Sequence, residues 1–98
     1  MDISKRQKET QKAFKNPRTN DAFHEMFSFW VVVLKRYKDS VLFSEGGSAN
    51  PLEHTVSFAS LDDFKEKFKY DKSGNKYWVD YAGKCKKRAD IMRGAYGI

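Results

Sequence analysis

The sequence predicts a mainly α fold: a small single domain of three to four helices around a central buried helix, with room for a short β-hairpin and with α+β as the alternative. Three observations predict it. In residues 23–37, Phe23, Met26, Phe27, Trp30, Leu34 and Tyr37 recur at steps of three and four, the period of one helix face. Toward the C-terminus, Trp78, Tyr81, Ala82, Cys85, Ala89 and Met92 keep the same spacing. Between them, Ser60-Leu61-Asp62-Asp63 has the residue order of a helix start, with a capping hydroxyl and an acid three positions on.

The central helix is expected from Asp21 to Lys38. Pro17 disfavours helix at Asn16, so Asn16-Pro17-Arg18 breaks the chain, and Thr19, Asn20 or Asp21 supplies the cap. Phe29, Val32 and Val33 widen the apolar face, as in a helix buried on more than one side. Lys35, Arg36 and Lys38 suit the negative end of the helix dipole. A strand over residues 27–34 competes, because Val31-Val32-Val33 favours β structure. The period extends over fifteen residues, longer than a typical strand, and that favours the helix.

The flanking segments follow in order. Residues 3–15 are lysine-rich, with Ile3, Ala13 and Phe14 as their apolar residues, and read as a helix or a mobile arm. Residues 1–19 are therefore expected as a basic N-terminal arm or helix, and 20–98 as one globular domain. Val41-Leu42-Phe43 and His54-Thr55-Val56-Ser57-Phe58 flank a Gly-rich turn and can pair as a hairpin, with His54, Val56 and Phe58 on its apolar side. After Ser60, Leu61, Phe64 and Phe68 line a short helix that ends before the turn chemistry of 71–75. Lys76-Tyr77-Trp78-Val79-Asp80 either returns as a strand against 69–71 or opens the last helix. The spacing favours the helix, although Gly83 permits a break that leaves a helix over 83–93, with Gly94 past its end.

Composition bounds the function. With 40% hydrophobic and 33% charged residues, the 98-residue chain has the make-up of one globular domain rather than a disordered one. One cysteine, Cys85, allows no intrachain disulfide and fits a reducing compartment. No signal-like segment is visible, and the apolar run 27–34 is far short of the ~20 residues of a membrane span, so a cytoplasmic protein without a membrane partner is expected. The net charge of +6 is unevenly placed. Residues 1–18 carry six Lys/Arg against two acids, and residues 84–93 carry five against one.

Those two basic ends supply the candidate site. On the last helix, Lys84, Lys86, Lys87, Arg88 and Arg93 surround the apolar stripe and can follow a phosphate backbone. In the N-terminal segment, Lys5, Arg6, Lys8, Lys12, Lys15 and Arg18 can wrap a polyanion. Tyr70, Tyr77, Trp78, Tyr81 and Tyr96 lie near the cations, an interleaving that suits base stacking or a protein interface. Each feature has a plainer reading: a solvated helix face with lysine stems over the core edge, a solubilising tail, and rings at the core margin. Cys85 sits among cations but on the apolar stripe, as a buried inert thiol would.

The chain has no CxxC or HxxxH spacing, no GxxxxGK[ST] loop and no GxSxG elbow. No enzyme activity, cofactor or metal is therefore expected. The expected function is non-catalytic binding of nucleic acid, or of a nucleic-acid-binding protein, through the basic terminal segments. The alternative is a protein–protein interaction module, in the manner of small viral or mobile-element inhibitors that block a host protein.

Overall fold

The structure is a computed structural model. It describes residues 8–9, 12–24, 29–47, 50–68 and 80–98, with 24 and 80–84 described as backbone. A short helix α1 includes residues 12–15. Strands β1 (Asp21–His24), β2 (Trp30–Arg36) and β3 (Ser40–Gly46) follow. After a 3-10 turn at Pro51–Glu53 come β4 (Thr55–Ser60), α2 (Leu61–Lys67), β5 (Asp80–Lys84) and α3 (Lys86–Tyr96). The strands form one antiparallel sheet in the order β4-β3-β2-β1-β5.

The fold is therefore α+β, and the mainly α expectation is overturned at its centre. The stretch expected as one buried helix contains two strands, β1 and β2, paired Ala22↔Val32 and Phe23↔Val31. The cause is burial on both faces. In β2, Val31 and Val33 face one core, and Val32 and Leu34 face the other. A strand covered on both sides has no polar residue at alternate positions, so its period of two disappears into a continuous apolar run. Such a run meets the three-and-four spacing by density alone. Length misled as well, because two strands and their connection together equal one long helix.

On one face lie Phe23, Val31, Val33, Val41 and Phe43, covered by Ala13 and Phe14 of α1 and by Phe64 and Phe68 at α2. This is an aromatic core. The Phe14 ring stacks 4.3 Å from Phe23, and Phe43 meets Phe64 edge-on at 5.2 Å, the stacked and edge-to-face arrangements that aromatic pairs prefer. The other face holds Ala22, Val32 and Leu34, covered by Ala89 and Met92 of α3, with Trp30, Leu42 and Tyr96 at its margin. Because Ala13, Phe14 and Pro17 are buried, the described part of the N-terminal segment packs with the sheet.

The short helix is as expected. Ser60 Oγ accepts from the Asp63 N–H at 3.1 Å, which fixes the start of α2. The last helix differs. Asp80–Lys84 is a strand paired with β1, and α3 begins only at Lys86. The alternative break at Gly83 is displaced to Cys85, because Gly83 and Lys84 themselves belong to the strand. The helix then runs through Gly94 and ends at Gly97, whose φ of 72° is the left-handed conformation that glycine adopts most easily. The proposed pairing of 69–71 with 76–80 lies outside the described residues, apart from Asp80, which pairs with His24.

β3 and β4 do form the expected hairpin, with Leu42↔Phe58 and Ser44↔Val56. Its polarity is reversed. Ser57 and Ala59 are half-buried, Ala59 against the aromatic core, whereas Val56 and Phe58 face solvent. At the end of β3, a Cβ on Gly46 would lie 2.7 Å from both the Glu53 carbonyl oxygen and the His54 ring. Gly46→Ala is accordingly expected to destabilise the protein by about 1–3 kcal/mol through backbone displacement. Gly47→Ala, which meets open space, is expected to stay within about 0.5 kcal/mol of the parent. Urea unfolding of the two variants side by side checks this.

Candidate nucleic-acid interface

The antiparallel register brings the two basic segments to one end of the sheet. Asp21, at the start of β1, faces Lys84 at the end of β5, and Arg36, at the end of β2, faces Val41 at the start of β3. The end of α1 and the start of α3 join the same rim. Arg36 Nη1 donates to Asn16 Oδ1 and to the Pro17 carbonyl, both at 2.7 Å. The Cys85 N–H donates to the Asn20 carbonyl at 2.8 Å. Asn20 has a positive φ of 76°, a conformation asparagine tolerates, and its own N–H bonds the Val33 carbonyl. This one residue thus holds β1, β2 and α3 at the rim.

The segments that meet there carry eight cations: Lys12, Lys15, Arg18, Lys35, Arg36, Lys38, Lys86 and Arg93. They are not equivalent. Arg93 is structural. Its guanidinium, about one-fifth exposed, donates to the Leu34 carbonyl, to Asn20 Oδ1 and to Asp90 at 2.7–2.8 Å. Arg18 lies 3.5 Å from the buried carboxylate of Asp21, which also accepts its backbone N–H. Lys86 is 2.7 Å from Asp90 while remaining 77% exposed.

Arg36 is different, because each guanidinium bond it makes among the described residues ends on a neutral oxygen: Asn16, Pro17, Tyr37 or Lys38. Those bonds fix its position without cancelling its charge. Lys12, Lys15, Lys35 and Lys38 are exposed and have no ion pair among the described residues. Asp39 is the one acid in the β2–β3 turn.

An exposed ring stands beside Lys35. Tyr37 is 41% exposed, with Lys35 Nζ 5.3 Å from its centroid and Phe58 edge-on at 5.7 Å behind it. A tyrosine set among phosphate-binding cations can take a base on its face. Along α1, a cleft of about 460 Å³ is lined by Glu9, Lys12, Ala13, Asn16 and Arg18.

Asp90 links rim chemistry to pH. Hydrogen bonds from Lys86 and then Arg93 hold its carboxyl below the ordinary 3.8. A carboxyl depressed in the folded state stabilises above its ordinary value, and that contribution is lost as pH falls through the lowered one. Asp90→Asn is therefore expected to lower stability at neutral pH and to lose part of its stability difference from the parent below about pH 4. Thermal melts at pH 7 and pH 3 check it.

The sequence-based site is partly dispersed. Lys5, Arg6, Tyr70, Tyr77 and Trp78 lie outside the described residues. Lys84 and Tyr81 are in β5, opposite Asp21 and Phe23 as backbone partners. Lys8 is exposed in the helical pair 8–9, Lys12 on α1, and Lys86 and Lys87 on α3. Arg88 is committed elsewhere, with its Cζ 4.4 Å from the Trp30 ring centroid. Tyr96 is half-buried, donates to the Pro51 carbonyl at 2.7 Å, and has its phenol pKa raised by burial, so it is no free stacking surface. Cys85 is half-buried and caps α3 without a side-chain bond. The residues missed were Lys35, Arg36, Tyr37 and Lys38. Their contiguity, three cations around one tyrosine, was the available signal, but the helix reading assigned it to a dipole.

Among the described residues no helix is long and apolar enough to cross a membrane. Compared with protein-family models, curated proteins and solved structures, the chain matches none of them.

Proposed function

We propose that this protein is a non-catalytic binder of single-stranded nucleic acid. Phosphates lie along the rim from Lys12 and Lys15 through Arg36, Lys35 and Lys38 toward Lys86 and Lys87, and a base stacks on Tyr37. One observation carries the reading: the fold brings both basic segments to one end of the sheet, around a guanidinium whose bonds among the described residues all end on neutral oxygens. A solvated face needs no such convergence, whereas a strand of phosphates does. Arg93 and Arg88 are removed from the contact set, since their bonds are internal. A cytoplasmic setting, where Cys85 stays reduced, accords with the reading.

Fluorescence anisotropy with labelled single-stranded DNA and RNA tests it. Binding is expected to weaken steeply with salt, with a log–log slope of about −0.7 per phosphate neutralised. Absence of binding to either oligonucleotide at low salt would defeat the proposal. A nucleic-acid-free protein that retains one acidic partner protein would favour the interaction-module reading instead.

A further inference from the structure

The outer edge of β4 has properties that strand edges in monomers rarely combine. β4 is the first strand of the sheet, so among the described residues its outer side pairs with nothing. Its six residues, Thr-Val-Ser-Phe-Ala-Ser, contain no charge and no proline. The β3–β4 ladder has no register shift, whereas the β1–β5 and β2–β3 ladders each contain one. Edge strands usually resist foreign pairing through a lysine, a proline or a bulge, and β4 has none of these. Its larger side chains also point outward: Phe58 is 64% exposed and Val56 38% exposed.

We infer that β4 pairs antiparallel with β4 of a second copy, joining two five-stranded sheets into one. The pattern is self-complementary, as a two-fold interface requires. A two-fold axis at Ser57 sets Val56 opposite Phe58 of the second copy and Thr55 opposite Ala59, all on their proper faces. An aromatic facing a β-branched residue is a favourable cross-strand pair. The exposed acids Glu53, Asp62, Asp63 and Glu66 flank β4, with the exposed Lys65 and Lys67 among them. The same acids come near each other across the axis, so salt strengthens the dimer. This dimer does not depend on the nucleic-acid reading.

One added strand and two exposed apolar pairs make a small interface, in the class below about 1,200 Å² that associates weakly. Sedimentation equilibrium of the full chain is expected to show a mass rising from 11.4 kDa toward twice that value, with half-association on the order of 10–100 μM. Val56→Lys and Phe58→Lys, both at exposed positions, should keep the parent far-UV spectrum and shift half-association at least about tenfold upward.

A covalent trap reads the register independently of those variants. Facing residues of an antiparallel pair have Cα atoms about 4.5–5.5 Å apart, within disulfide reach. In a Cys85→Ser background, Ser57→Cys should therefore oxidise to a cross-linked dimer, while Thr55→Cys should not. A parent chain that stays at 11.4 kDa up to about 500 μM overturns the inference, as does equal cross-linking at positions 55 and 57.

Discussion

Phe64→Ala is expected to remove about 3–5 kcal/mol of folding stability, the loss typical of a buried phenylalanine. Phe64 is fully buried, and its ring lies 4.9–6.0 Å from Phe14, Phe43 and Phe68. It is the residue through which α2 reaches the sheet, and α1 packs against it from the other side. Small domains have total stabilities of only about 5–15 kcal/mol, so the variant is expected to lose a large share of the total. Guanidinium denaturation measures the loss. Phe64→Leu, which retains most of the volume, should lose much less, since volume-conserving swaps usually cost below about 1.5 kcal/mol. A parent-like Phe64→Ala would mean that α2 does not cover the sheet.

The second large effect is on binding. Lys35→Glu combined with Lys38→Glu is expected to weaken oligonucleotide binding at least about 100-fold at low salt and to flatten the salt slope by about 1.4. Both side chains are exposed, and their described contacts are limited to Lys35 over the Tyr37 ring. Surface changes of this kind shift stability by about 0.5 kcal/mol or less, so lost binding cannot be ascribed to unfolding. Reversing Lys86, Lys87 and Arg88 together is a poorer experiment, because Arg88 packs on Trp30 and its loss exposes that ring. Tyr37→Ala separates stacking from charge. It should lose about 1–3 kcal/mol of binding while leaving the salt slope unchanged. Unaltered affinity in the lysine pair would remove the rim from the site.

Local signals in the sequence were legible where one residue decides the outcome. The Ser60 cap, the apolar spacing of Leu61, Phe64 and Phe68, and the hairpin between Val41 and Phe58 could all be read directly. Long-range signals were not. Whether Val31–Leu34 is helix or strand depends on α2 covering one face and α3 the other, and neither fact is local to β2. The orientation of β4 was hidden for a related reason. Alternation shows that two faces exist, and burial of the larger residues is then assumed. Here the small Ser57 and Ala59 fit beneath α2, and the large Phe58 is left outside.

The cations of the candidate site were visible as charge, but their division into free and committed groups was not. Arg93 and Lys86 differ little in sequence, yet one ties α3 to Leu34 and Asn20 and the other stays largely in water. Arg36, with Lys35 and Lys38 next to it in the chain, came to prominence only when the fold set it beside Asn16 and Pro17.

The position of α3 has a consequence for synthesis. Strands β1 to β4 pair with their neighbours in chain order, so four of the five can assemble as the chain emerges. The surface of Ala22, Val32 and Leu34 then stays bare until the last eleven-residue helix arrives to cover it. A ribosome stalled before that point would release a sticky half-sheet, and chaperone demand for this protein should concentrate in that interval.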